Sequence, residues 1–272
     1  MFESLRRKQP DRSLPRLLFY ELACAVVRTI ISVFWSGKSF HAERIPANGP
    51  LLLASNHQSY LDPPLIAVRL RQRHVNFIAK AGLFKFRPFA WTIAWLNSVP
   101  IRGDASDTAA IKEVVARLER GEPVLIFPEG ARTPNGSIAP FKRGVSLLVK
   151  KARCPVVPVA VEGVFDVWPN SRSLPRLFGR RMYVMYGTPI AHEELMKHGP
   201  DQALERLGRE IDAMRMELRA NLRRDTKGRC PAPGPADQPI TWPSARTNAC
   251  HAPSPAVSPL EIPSAGETRT GS

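Results

Sequence analysis

Short apolar runs recur through the middle of this chain and alternate with stretches of helical periodicity. That alternation limits the possible folds more than any other feature. Leu51–Ser55, Val75–Ala79, Val99–Ile101, Pro123–Phe127, Val156–Val161 and Met182–Tyr186 are short, largely apolar and bounded by Pro, Gly, Asn or charge. Runs of this length read as strands buried on both faces. Between them lie helical patterns: Leu65–Arg71 opened by Asp62-Pro63, the aromatic-rich Phe84–Leu96, Ser106–Arg120 and Val145–Ala152. In Ser106–Arg120 the residues Ile111, Val114, Val115 and Leu118 follow i, i+3, i+4, i+7, and Gly121 supplies a left-handed cap. Leu204, Leu207, Ile211, Met214, Leu218 and Leu222 stripe a long terminal helix whose other faces are basic, with Arg206, Arg209, Arg215, Arg219, Arg223 and Arg224. The pattern predicts an α/β domain with a mixed, largely parallel sheet flanked by helices.

Both ends depart from the pattern, which divides the chain into residues 1–39, 40–225 and 226–272. The last segment holds many of the chain's prolines and has Trp242 as its single aromatic, a composition that predicts a disordered tail. At the other end, Arg6, Arg7, Lys8, Arg12 and Arg16 precede an apolar stretch, Leu17–Trp35, interrupted by Glu21 and Arg28. As a helix it is about 28 Å long, close to a bilayer core of about 30 Å. A cleaved signal peptide lacks a small-x-small cleavage site here. A spanning helix has to hide Arg28, at about 2.5–3.5 kcal/mol near the centre, and puts everything after Trp35 outside the cell. An interfacial helix keeps Glu21 and Arg28 on one side, facing headgroups. The last reading is preferred, an N-terminal amphiphilic membrane-associating helix, with a plain buried helix as the bland alternative.

The formal charge is +15, and the 226–272 segment is nearly neutral, so the excess belongs to residues 1–225. Such a surplus points to an anionic partner: nucleic acid, anionic lipid, a phosphorylated substrate or an acidic carrier protein. The charge is dispersed and no recognition motif accompanies it, which argues against nucleic acid. Cys24, Cys154, Cys230 and Cys250 are too scattered for a disulfide scaffold and fit a reduced compartment.

Two polar clusters follow apolar runs, where α/β folds place their sites. In Asn56-His57-Gln58-Ser59-Tyr60-Leu61-Asp62, a helix would point His57 and Asp62 apart, so a facing pair requires a turn. Folded that way, the carboxylate holds one imidazole nitrogen and leaves the other as a base. The competing interpretation makes Asp62 an ordinary N-cap before Pro63. The second cluster is Phe127-Pro128-Glu129-Gly130-Ala131-Arg132-Thr133, with Phe141-Lys142-Arg143-Gly144 beyond it. Gly130 permits an unusual φ, and Arg132 is either a fork onto a phosphate or the partner of Glu129 in a loop salt bridge. Arg102, after Val99–Ile101, is a phosphate ligand or a solvated turn residue. The aromatic stretch 84–96 reads as ordinary core or as a segment that dips into the bilayer. Zinc and flavin motifs are absent, and His57 with Asp62 is an incomplete metal set.

Asn56-His57-x4-Asp62, Val99-Pro100-Ile101-Arg102, Phe127-Pro128-Glu129-Gly130-x-Arg132 and Val157-Pro158-Val159-Ala160 resemble, in order and spacing, the four blocks of the glycerolipid acyltransferase family. The resemblance covers roughly residues 40–190 and is closest to bacterial members that acylate 1-acyl-glycerol-3-phosphate. It implies that His57 takes the proton of the acceptor hydroxyl as that hydroxyl attacks an acyl thioester, and that Asp62 orients the imidazole. It implies that Arg102 and Arg132 hold the acceptor phosphate, with Lys80 as a weaker candidate, while Glu129, Gly130 and Thr133 shape the acceptor site. No metal or cofactor is implied beyond acyl-CoA or acyl-acyl-carrier-protein as co-substrate. The implied partners are an anionic membrane surface, a lysophospholipid and an acyl carrier protein, at the cytoplasmic face of the cell membrane. One departure stands out: Ala131 replaces the family's usual Thr, although Thr133 and Ser59 keep hydroxyls nearby in sequence. A related branch acts on other lysolipids such as lyso-ornithine lipid, and a catalytically inactive membrane scaffold is the alternative of another class.

Overall fold

The computed structural model describes residues 12–70, 72–80, 95–101 and 108–242. The apolar runs form strands of one seven-stranded sheet in the order β1-β7-β6-β2-β5-β3-β4. These are β1 (Lys38–Phe40), β2 (Leu51–Ser55), β3 (Asn76–Lys80), β4 (Ser98–Ile101), β5 (Pro123–Ile126), β6 (Val156–Glu162) and β7 (Tyr183–Tyr186). Strands β6, β2, β5, β3 and β4 run parallel, whereas β7 is antiparallel to β6 and carries β1 in parallel on its outer edge. Every residue of β2, β5 and β6 is buried, which is why those strands are continuous apolar runs and do not alternate. The sheet is therefore mixed and largely parallel, as the sequence predicts.

The described helices are α1 (Leu14–Trp35), α2 (Asp62–Arg69), α3 (Thr108–Glu119), α4 (Gly144–Ala152), the single turn α5 (Val164–Val167), α6 (His192–Met196) and α7 (Pro200–Asp225). Tyr20, Cys24, Ile31 and Trp35 of α1 and Leu65, Ile66 and Val68 of α2 share one core with Leu51 and Leu53 of β2 and Val157, Val159 and Val161 of β6. Helix α7 packs along β6 and against α4. The helix expected over Phe84–Leu96 falls mostly outside the described residues, as does Arg102.

Two expectations are corrected, and two features were not anticipated. Glu21 and Arg28 do not face headgroups. Glu21 Oε1 lies 2.9 Å from His74 Nε2, and Arg28 Nε donates to the Val68 carbonyl at the end of α2 at 2.9 Å. The domain supplies both charges with partners, so they lie on the inner side of α1. Its outer side is left to Leu18, Leu22, Val26, Ile30 and Val33, all exposed. Secondly, the arginines of the basic faces of α7 are not equivalent: Arg215 and Arg219 are buried. Thirdly, the disordered tail does not begin at 226. Arg215 Nη1 donates to Ala236 O at 2.7 Å, Arg219 Nη2 to Ala232 O at 2.8 Å and Arg223 Nε to Pro231 O at 3.0 Å, and Cys230 and Ala236 are buried. A proline-rich strap has few N–H groups of its own, so arginines on a neighbouring helix satisfy its carbonyls. Residues 243–272 lie outside the described residues. Fourthly, β1 was not expected, because Lys38-Ser39-Phe40 contains no apolar run.

Candidate active site

Parallel pairing brings the C-terminal ends of β2, β5, β3 and β4 to one edge of the sheet. His57 follows β2, the Glu129–Arg132 cluster follows β5, and Lys80 is the last residue of β3. Arg102 comes next in the chain after β4.

The 56–62 segment makes the turn that a facing pair demands. His57 Nδ1 lies 2.7 Å from Asp62 Oδ2. The same oxygen accepts the backbone N–H of Gln58 at 2.6 Å and of Ser59 at 2.7 Å. These amides precede the helix, so Asp62 reaches backward and is not a cap of α2: Leu61 stands at the N-cap, with no side-chain cap bond. An oxygen already taking two N–H donors is an acceptor to the ring, which places the proton on Nδ1 and leaves Nε2 as the base position. Burial pushes the Asp62 carboxyl up from its ordinary range, and the imidazole and the two amides oppose that rise. The ring itself is largely buried and stacks on Phe127, centroids 4.0 Å apart.

The main chain around His57 is fastened on every side. Its N–H donates to Glu129 Oε1 at 2.7 Å, and its carbonyl accepts Thr133 N–H at 2.8 Å. Glu129 Oε2 accepts Ala139 N–H at 2.8 Å. Burial pushes Glu129 up to about 8, against those two amides. Asn56 pairs with both backbone groups of Val161 on β6, at 2.8 and 3.0 Å. Gln58 Nε2 donates to Glu162 Oε2 at 2.9 Å and to Gly136 O at 3.1 Å, and Gln58 Oε1 accepts Phe165 N–H at 3.2 Å.

Arg132 does not pair with Glu129. Its guanidinium carbon lies 3.5 Å from the centroid of the half-exposed Tyr60 ring, so the loop salt bridge expected as the bland alternative is not formed. Gly130 adopts φ +72°, which is what needs glycine there; the atoms a Cβ would meet are the flexible end of Lys142, with Cε at 2.7 Å. Thr133 is buried, its hydroxyl donating to Asn135 Oδ1 at 3.0 Å, while Ser59 Oγ donates to Trp168 O at 2.8 Å. Neither hydroxyl replaces the one missing at the exposed Ala131.

Sequence reasoning missed the support behind this loop. Glu162 Oε1 accepts Arg219 Nη1 at 2.7 Å, its other oxygen lies 3.7 Å from Arg215 Nη1, and Arg219 Nε donates to Asp237 Oδ1 at 2.7 Å. Burial raises the Glu162 carboxyl, and Arg215 and Arg219 oppose the rise. A Glu ending a wholly apolar strand was the one available signal. Tyr60 was missed too, because nothing in its spacing ties it to Arg132.

Residues 39–162, which hold this buried-carboxylate–histidine pair and Arg132, match the family model described as Acyltransferase. The chain is 25% identical over 201 residues to a 1-acyl-sn-glycerol-3-phosphate acyltransferase of Bacillus subtilis, covering 74% of this chain and 95% of that one. It is 30% identical over 131 residues to a chloroplastic protein of the same description from Brassica napus, but covers 47% of this chain and only 38% of that longer relative. A crystal structure titled as the 1-acyl-sn-glycerophosphate (LPA) acyltransferase of Thermotoga maritima shares the fold, with a TM-score of 0.64, 24% identity, and coverage of 80% of this chain and 88% of that one. Over residues 39–162 the chain is therefore similar to the Acyltransferase family, and over 74% of its length to a protein described as a 1-acyl-sn-glycerol-3-phosphate acyltransferase.

Proposed function

We propose that this protein transfers a fatty acyl group from an acyl thioester to the free hydroxyl of 1-acyl-glycerol-3-phosphate, giving phosphatidic acid for phospholipid biosynthesis. The observation that carries the reading is His57 held through Nδ1 by buried Asp62 at 2.7 Å. In the step, His57 Nε2 takes the hydroxyl proton as the oxygen bonds to the thioester carbonyl carbon. The carbon–sulfur bond then breaks, and the thiol leaves with the proton returned by Nε2–H. Asp62 stabilises the transient imidazolium, and no covalent enzyme intermediate is needed because the thiol is a good leaving group. Arg132 is assigned to the acceptor phosphate, whose planar recognition suits a guanidinium already oriented by stacking. Arg102 and Lys80 keep the same assignment from the resemblance, Lys80 supported by its place on the shared strand edge.

Helix α1 supports attachment to a membrane surface. Its inner face is packed on the domain, while Leu22, Val26, Ile30 and Val33 form an apolar stripe outside. A helix with one face committed to protein lies along a bilayer, and we assign it to the cytoplasmic leaflet, where the basic N-terminus meets anionic lipid. Acyl-CoA and acyl carrier protein are the candidate donors.

A second acceptor reading rests on Ala131: with Thr133 and Ser59 engaged elsewhere, the headgroup site is one hydroxyl short, as an acceptor such as lyso-ornithine lipid would tolerate. The deciding experiment offers 1-acyl-glycerol-3-phosphate, lyso-ornithine lipid and other lysolipids with a labelled acyl group on each donor. Dominant labelling of phosphatidic acid is expected. Dominant labelling of a phosphate-free lipid replaces the first reading by the second, and no transfer to any acceptor removes both.

A further inference from the structure

The connection between α5 and β7 has no place in the chemistry above, yet it is the most unusual surface of the domain. Residues 170–181 read Asn-Ser-Arg-Ser-Leu-Pro-Arg-Leu-Phe-Gly-Arg-Arg, rich in arginine and without an acidic side chain. Leu174 is 73% exposed, Phe178 72% and Leu177 47%. Single exposed apolar residues are ordinary, but three within five positions of one loop are a patch.

The loop is fixed at both ends. The Phe178 ring packs 5.5 Å from Phe34 of α1, and Trp35 Nε1 donates to Arg176 O at 2.7 Å. Arg176 Nη1 in turn donates to Asp166 O at 2.7 Å. The loop therefore abuts the C-terminal end of α1, where the outer apolar stripe finishes at Val33. Its other end starts at Trp168, whose carbonyl accepts the Ser59 hydroxyl and whose ring lies 5.5 Å from Tyr60, the residue under Arg132. One short loop thus joins the apolar stripe of α1 to the segment carrying the dyad.

We infer that residues 170–181 are a second membrane-docking element. Leu174, Leu177 and Phe178 enter the acyl-chain boundary of an anionic bilayer, and the exposed Arg172 meets lipid phosphates together with Arg181, which is partly exposed and lies 3.9 Å from Asp225. The inference deepens the membrane reading above and rests on it. Apolar tips flanked by cations are what an anionic interface selects. A second copy of the chain fits poorly, because a two-fold contact through this loop sets its arginines against their own counterparts. Docking here as well as through α1 fixes the depth of Tyr60 and Arg132, so that a lysolipid reaches the site along the loop.

The test uses the full chain and sedimentation with phosphatidylcholine vesicles, with and without phosphatidylglycerol. Leu174→Ser/Leu177→Ser is expected to weaken partitioning at least about tenfold on both vesicles. Arg172→Gln/Arg181→Gln is expected to lose only the added affinity for phosphatidylglycerol and its salt dependence. Both variants should melt as the wild type does, since the altered side chains are exposed or at the rim. Leu147→Ser, on exposed α4 surface, should partition normally. Unchanged partitioning of the leucine pair, an equal loss in Leu147→Ser, or retained partitioning with altered self-association in sedimentation velocity would each overturn the inference. Vesicle binding is read without turnover, so a failed acceptor panel leaves this result interpretable, and the reverse holds.

Discussion

Replacing Asp62 by Asn and by Ala separates what this carboxylate does for the fold from what it does for the reaction. Its Oδ2 receives three donors at 2.6 to 2.7 Å, the ring of His57 and the amides of Gln58 and Ser59, and the residue is wholly buried. Oδ1 has no hydrogen-bond partner among the described residues. An asparagine can set its carbonyl where Oδ2 lies and keep all three bonds, while its amide takes the vacant side. The fold then exchanges charge-assisted bonds for neutral ones and is relieved of burying a charge, so Asp62→Asn should change stability by no more than about 1–2 kcal/mol. Alanine leaves two buried backbone amides and the ring without an acceptor. At about 1–3 kcal/mol for each of the three buried donors, Asp62→Ala should cost about 3–9 kcal/mol, a large part of the 5–15 kcal/mol typical of a domain. The reaction treats the two variants alike, because either one removes the negative charge that stabilises the imidazolium. Turnover should fall by about 100- to 10,000-fold in both. Urea unfolding gives the stability difference, and thiol release from an acyl-CoA at saturating acceptor gives turnover. An asparagine variant that kept turnover within about threefold of wild type would refute the dyad. Equal destabilisation by Asn and Ala would refute the three-donor account of the turn.

Three further outcomes follow from the geometry. Tyr60→Ala removes the platform under Arg132, a contact of about 0.5–2 kcal/mol, so the acceptor KM should rise about 2- to 30-fold with turnover changed less, while Tyr60→Phe stays near wild type. Glu129 titrates near 8 in the folded chain against 4.5 as its ordinary value, so the folded state binds the extra proton between those limits. Stability should fall as pH rises through that window and be lowest above it, and a urea midpoint compared at the two extremes should drop less in Glu129→Gln than in wild type. Arg219→Ala strips Glu162 of its nearest cation and Asp237 of one of its two arginine partners. It should destabilise by about 3–5 kcal/mol on urea unfolding, because it leaves a buried carboxylate poorly compensated.

How legible each part was depended on whether its cause is local. Strands β2, β5 and β6 announce themselves because both faces are covered and every position is apolar but the terminal Ser55 and Glu162. Strand β1 has no such signal, since Lys38-Ser39-Phe40 becomes a strand through its register with Tyr183, Val184 and Met185 on β7. His57 and Asp62 could be nominated from spacing, but the turn that joins them is made by the carboxylate's own grip on two amides, which spacing does not encode. The charges of α1 were read as facing lipid because a sequence window contains no His74 and no Val68 carbonyl to receive them. The burial of Arg215 and Arg219 was not legible for the same reason: Glu162, which draws them inward, lies 57 positions before Arg219.

The anchoring of His57, the base of the proposed reaction, gives a purpose to the many unreactive residues around it. Asn56 ties the loop to β6, Glu129 and Thr133 tie the main chain of His57 to the segment after β5, and Gln58 ties it to Glu162. Glu162 is in turn held by Arg219, and Arg219 by the 231–237 strap. Two sheet strands, the longest helix and a proline-rich strap therefore converge on a single peptide unit, while Phe127 fixes the plane of the ring. A general base must meet the acceptor hydroxyl within hydrogen-bond reach, and positional freedom in the base would have to be lost again in every turnover. Here that freedom is removed during folding. Substitutions in α7 or the strap, which need not touch substrate, should consequently act on turnover through the position of His57 rather than on acceptor binding.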